Sequence, residues 1–179
     1  MNRRSFLRLG GLAPAMLALQ QIPFTATAGK PAAATTTARP PGAAANRLDP
    51  EQAEILMAVV ERIVDTGRVD APAPREIGTL PAIEAILSQL DSELVRALRI
   101  ALVSLDWWPS LMEWKFRRFR NLDREAQIQS LEGWRTSSIE IRREVFAALR
   151  NLSLLGYWSR EQTWPLIGYG GPWIGEGRR

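Results

Sequence analysis

A chain of 179 residues with neither cysteine nor histidine is confined to a narrow range of chemistry. It has no disulfide framework, no C-x-x-C-H haem attachment, no histidine-bearing zinc site and no Ser-His-Asp or Cys-His nucleophile, which puts structural and binding roles ahead of catalysis. Its formal net charge of +4 comes from 23 basic and 19 acidic side chains, and Arg3, Arg4 and Arg8 stand in an acid-free leader; the rest is close to neutral and implies no nucleic-acid partner.

Residues 1–28 read as an address. Asn2-Arg3-Arg4-Ser5-Phe6-Leu7-Arg8 precedes a short apolar run, Leu9–Leu19, diluted by Gly10, Gly11 and Pro14. Ala26-Thr27-Ala28 has the small-x-small pattern of a cleavage site, placed by Ala26 and Ala28. Arg3, Arg4, Phe6 and Leu7 in this order look like a bacterial twin-arginine signal, which carries folded proteins and implies the twin-arginine translocation machinery as a partner. The expected location is the periplasm. The apolar run is about half of the ~20 residues that a membrane-crossing helix needs. Residues 29–47 are Ala, Thr and Pro with almost no apolar bulk, and are expected to form a disordered spacer.

The folded part is expected over residues 48–179. Asp49, Pro50 and Gln52 supply an N-cap, a first-turn proline and a capping box. Ile55, Leu56, Val59, Val60, Ile63 and Val64 share one face of a helix over about 50–66, ended by Gly67. Residues 68–78 read as a loop. Thr79 predicts the cap of a short helix carrying Ile83, Ile86, Leu87 and Leu90. Asp91 and Ser92 offer a cap for a third helix, with Leu94, Val95, Leu98, Leu102 and Leu105 at helical spacing, broken at Trp107-Trp108-Pro109. Between Ser110 and Arg120, Met112, Phe116 and Phe119 share a face among Lys115, Arg117, Arg118 and Arg120. This is either a short amphipathic helix with solvated arginines or a basic-aromatic surface for anionic lipid or an acidic partner.

Asn121-Leu122-Asp123 starts a helix through Ile128, Leu131 and Trp134. Ser137 or Ser138 starts the longest helix, through Ile141, Val145, Phe146, Leu149, Leu152 and Leu155. Ser159-Arg160-Glu161-Gln162 reads as a second capping box, before a terminal helical turn around Trp164 that stops at Gly168. No segment alternates with period two. The fold expected is all-α, a small bundle of about six helices joined by short linkers.

The carboxylates offer no evident catalytic pair. Glu140 and Glu144 stand close to Arg142 and Arg143, and Glu51 and Glu54 suit the first turn of their helix. Asp106 and Glu113, flanking the tryptophan pair, are the least explained, and a small enzyme using them is the remaining catalytic reading. Gly168 to Gly171 is followed by Pro172 and no helix, so it lacks the context of a phosphate cradle.

Several soft motifs form a common layout. Leu48-Asp49-Pro50-Glu51-Gln52 leads to Arg62-Ile63-Val64-Asp65, then Phe119-Arg120-Asn121-Leu122-Asp123-Arg124-Glu125 and Leu131-Glu132-Gly133-Trp134-Arg135-Thr136-Ser137. Arg142-Arg143-x-Val145-Phe146-x-x-Leu149 precedes Leu154-Leu155-Gly156-Tyr157-Trp158-Ser159 and Thr163-Trp164-Pro165-Leu166-Ile167-Gly168-Tyr169-Gly170-Gly171-Pro172. With the leader, this succession resembles the gluconate 2-dehydrogenase subunit 3 family over roughly residues 48–173. Those are small twin-arginine-bearing subunits that accompany large FAD-containing dehydrogenases of the glucose-methanol-choline type. The resemblance implies a non-catalytic subunit that binds no cofactor itself. FAD and the substrate pocket would lie in the large subunit, a cytochrome c subunit passing electrons onward in several such complexes. It implies association with the inner membrane through the complex, and an escort role in which the partner crosses on this chain's signal. It supplies no catalytic residue. Some related small subunits carry cysteines; this chain has none, so no disulfide role transfers.

All seven tryptophans and both tyrosines fall between Trp107 and Trp173. Trp and Tyr are frequent interface anchors and equally frequent core residues. One reading makes Trp107, Trp108, Trp158, Trp164, Tyr169, Gly170, Gly171, Pro172 and Trp173 the interface with the flavoprotein; the other puts the aromatics in the bundle's own core. A different functional reading is a periplasmic membrane-surface or assembly protein using the Lys115–Arg120 patch.

Overall fold

The computed structural model describes residues 46–112 and 117–171, for 110–112 the backbone alone. The leader residues Arg3, Arg4, Phe6, Leu7, Ala26 and Ala28 lie outside the described residues. So do Glu113, Lys115, Phe116, Pro172 and Trp173. Over the described residues the chain is helical with no strand. It forms α1 (Pro50–Ile63), α2 (Thr79–Leu87), α3 (Ser92–Met112), α4 (Arg124–Arg135) and α5 (Glu140–Trp158). Short 3₁₀ segments follow α3 (Phe119–Asn121) and α5 (Glu161–Ile167). The all-α expectation holds.

α1 begins as its sequence dictates. Gln52 N donates to Asp49 Oδ1 at 2.8 Å, and Asp49 N donates back to Gln52 Oε1 at 3.3 Å. Burial is wider than a single stripe, however. Ile55, Leu56, Met57, Ala58, Val59 and Val60 are all buried, because α1 packs against α3, α4, α5 and the first 3₁₀ segment. Its middle six residues, apolar all round, lie inside the domain, while Glu51 and Glu54 in its first turns remain exposed. The helix stops at Ile63, and Gly67 (φ +66°) serves the turn beyond, its N–H donating to Asp65 Oδ1 at 3.1 Å.

α2 starts at Thr79 after Gly78, whose φ of +71° lies in the left-handed region. Thr79 makes no capping bond; it is the first helical residue and is buried. α2 crosses α5 at Gly156, where a Cβ would stand 2.3 Å from Ile83 Cγ1. Only glycine permits that approach. The helix ends at Leu87, before Leu90. Asn46 covers this end: its side-chain amide donates to Leu87 O at 3.2 Å and Leu90 O at 2.8 Å. Asn46 is thereby buried in the folded body, although composition places it in the spacer. Carbonyls left open at a helix C-terminus explain the difference.

α3 does not break at Trp107-Trp108-Pro109; it runs through Pro109 to Met112. So close to the end, proline forfeits only one main-chain bond, to Leu105 O, and the buried Leu105, Asp106 and Pro109 hold the turn. At 21 residues α3 exceeds the 19 of α5 and is the longest described helix. α4 is capped by Asp123, which accepts from Ala126 N at 2.9 Å. α5 begins at Glu140 without a side-chain cap, Ser137 Oγ instead accepting from Ile139 N at 3.2 Å. Ser159 is not a cap for the segment after it; its hydroxyl donates backward to Gly156 O at 2.9 Å. The terminal segment is 3₁₀ rather than α, and it stops at Gly168 (φ +68°). Leu56, Val59, Leu98, Leu102, Leu105, Phe119, Leu149 and Leu152 form the centre of one core.

Candidate partner-docking surface

The candidate aromatic residues separate into two groups at opposite ends of α5. The first surrounds its N-terminal half. Trp108 meets Trp134 edge-on, with ring centroids 5.9 Å apart. The Arg142 guanidinium lies 4.1 Å from the Trp108 ring centre and 5.0 Å from that of Trp134, so a cation joins α3, α4 and α5 through two aromatic faces. Trp108 is half-buried against the core. Trp107 differs: it is 42% exposed, with the Arg118 guanidinium 4.2 Å from its ring centre.

Beneath Trp107 the basic segment turns inward. Arg118 Nη1 donates to Glu51 Oε1 at 2.5 Å, and Arg120 donates to the same oxygen. Arg120 N donates to Asp106 Oδ1 at 3.1 Å, and its Nε lies 3.6 Å from Asp106 Oδ2. Arg120 holds the Glu51 carboxyl below its ordinary range, with Arg118 contributing. Burial pushes Asp106 above its ordinary value, and the Arg120 main-chain N–H offsets part of that. Asp106 is a buried tether for the segment that follows α3. Phe119, which the sequence places on one face with Met112 and Phe116, is fully buried.

The second group lies at the C-terminal end of α5. Tyr157 is buried, donates from its hydroxyl to Pro72 O at 3.1 Å, and meets Trp158 edge-on at 5.2 Å. Trp158 is half-buried against the core. Trp164 Nε1 donates to Trp158 O at 3.2 Å, and Trp164 meets Tyr169 edge-on at 5.2 Å. Gly171 (φ +102°) lies against Trp164, where a Cβ would come within 3.4 Å of Cζ3. Tyr169 and Gly170 are exposed, and Ile167 beside them is 61% exposed.

From Arg142 to Trp158 is about 24 Å along the helix at ~1.5 Å per residue. The two groups are therefore separate patches. Trp108 and Trp158 serve chiefly the protein's own packing, while Trp107, Ile167 and Tyr169 face outward. The sequence marks Arg142 only as part of a motif and as a neighbour of Glu140 and Glu144; its place over two rings has no spacing signature. The exposed α3 residues Ile100 and Val103 were also missed, although their spacing to Trp107 is helical.

Among the described residues no three Asp or Glu side chains are grouped to hold a metal ion, and no helix is long and apolar enough to cross a membrane. No curated protein and no solved structure matches the chain. The family model described as gluconate 2-dehydrogenase subunit 3 matches residues 50–171, from the first turn of α1 to the glycine packed under Trp164, and the chain belongs to that family.

Proposed function

We propose that this chain is the non-catalytic small subunit of a periplasmic FAD-dependent dehydrogenase, and that it escorts the flavoprotein through the twin-arginine route. The family match over residues 50–171 carries this reading, since the family is named for a dehydrogenase subunit. Composition supports it. A chain without His or Cys has little of its own that requires folding before export, so a folded-protein route is best explained by cargo it does not encode. FAD and hydroxyl oxidation, of a sugar, alcohol or related substrate, belong to the large subunit, and in some assemblies a cytochrome c subunit takes the electrons. Trp107 and the Ile167–Tyr169 corner are the outward-facing anchors for that partner. The membrane-surface reading is weaker, because Arg118 and Arg120 are engaged by Glu51.

Affinity capture of the tagged subunit from periplasm is expected to bring down a larger chain with flavin absorbance. Changing Arg3→Lys together with Arg4→Lys is expected to hold both subunits, and the dehydrogenase activity, in the cytoplasm. A colourless single chain in the capture, or normal export of the activity by the double variant, would sink the escort reading.

A further inference from the structure

α3 has two apolar faces. The inner one, Leu98, Leu102 and Leu105, is buried in the core. The outer one is a ridge of Ile100, Val103 and Trp107, 48%, 41% and 42% exposed. At positions i, i+3 and i+7 the three fall on one side of the helix over about 10 Å. Single exposed apolar residues are ordinary; an aligned row of three is a surface that a short apolar segment can cover, beside the Arg118 guanidinium on Trp107.

The course of the chain indicates which partner. Arg99, next to Ile100 on α3, donates from its guanidinium to the carbonyl of Arg47. Asn46 is fixed to the end of α2 by its two amide hydrogen bonds. The 45 residues that precede Asn46 therefore join the folded body beside the ridge. They include the apolar run Leu9–Leu19. The 26 residues between that run and Asn46 can span at most about 85 Å, at ~3.3 Å per residue. From Arg99 to Trp107 along α3 is only about 12 Å.

We propose that the ridge Ile100–Val103–Trp107 is a seat for the chain's own leader, occupied by Leu9–Leu19 in the subunit that has not yet met its partner. A tethered segment has an effective concentration in the millimolar range, so a contact too weak to hold a free peptide suffices. While seated, the apolar run of the export signal is covered. A partner that takes Trp107 displaces it, and the signal becomes available when the cargo is in place. The displacement step rests on the escort reading; the seat does not.

The absence of cysteine makes the test clean. The full chain, leader intact, is purified from the cytoplasm carrying Leu12→Cys with Val103→Cys. For comparison, a second variant carries Leu12→Cys with Ile128→Cys, on α4 and 41% exposed. Under mild oxidation the Val103 pair is expected to close an intramolecular disulfide at least about fivefold faster than the Ile128 pair. Adding Ile100→Asp is expected to bring it down to the comparison rate. Equal rates for the two pairs overturn the proposal. So does a disulfide-linked dimer as the main product, which would make the ridge a contact between copies. With purified large chain added and the complex formed, the Val103 rate is expected to fall; an unchanged rate overturns displacement. Failure of the complex to form would count against the escort reading alone, because the disulfide comparison is made without the partner.

Discussion

At Gly156 the absence of one methyl group sets the distance between α2 and α5. A Cβ there would lie 2.3 Å from Ile83 Cγ1 and 2.9 Å from its Cδ1, and Ile83 is fully buried. Gly156→Ala is expected to cost about 1–3 kcal/mol by overpacking. The same change in an Ile83→Ala background should cost much less, and urea denaturation of the four proteins in the cycle measures that coupling. Asp106 gives a pH signature of its own. Burial raises its carboxyl above 3.8, so the fold favours its protonated form. That contribution is fully present below 3.8 and is lost as pH rises through the folded value. Glu51 and Glu54 behave oppositely, because arginine hydrogen bonds lower them; their contributions are present above 4.5 and are lost as pH falls. The melting temperature of Asp106→Asn relative to the unaltered protein is therefore expected to decline between neutral pH and about pH 4, as the native Asp106 takes up its own proton.

Among the elements, α1 is the one around which the others are placed, and the segment 117–121 is fastened to it by charge. Arg120 reaches both Glu51 on α1 and Asp106 on α3. Arg120→Ala leaves Asp106 buried without its cation and is expected to cost on the order of 3 kcal/mol. Arg118→Ala removes a partly exposed pair to Glu51 and a stack on Trp107 but strands no buried charge, and is expected to cost about 1 kcal/mol or less. Most helices were legible because their signals are local: the Asp49–Gln52 box, the Asp123 cap and the leucine spacing of α3 and α5 depend on a few neighbouring residues. The misread boundaries are those decided elsewhere in the fold. Pro109 stays within α3 because the turn around it is buried, and Ser159 turns back to Gly156 rather than forward. Trp108 could not be told from Trp107 by sequence, since what separates them is the position of Trp134 and Arg142 on two other helices. Nor does composition show that Asn46 would find open carbonyls at the end of α2.

For the whole molecule, the two aromatic groups about 24 Å apart mean that a single partner must contact both ends of α5 to use both. Trp107→Ala and Tyr169→Ala are each expected to weaken binding of the proposed large subunit about tenfold or more, and the losses should be additive because the sites share no contacts. Binding titrations of the single and double variants test this; Trp108→Ala, by contrast, should show first as lost stability. The loop between α1 and α2 has a separate consequence. Val69 at its tip is fully exposed; before it Asp65 pairs with Arg124, and beyond it Pro72 is held by Tyr157 and Arg75 by Glu54 and Glu61. A cut at Arg68 would divide the polypeptide without dividing the core, since α1 keeps its place through six successive buried residues rather than through the peptide bond. The protein is in this sense naturally separable into two pieces. One is a short N-terminal piece carrying the central helix, and the other is a longer piece carrying both aromatic groups, with the first gripping the second as a plug grips its socket.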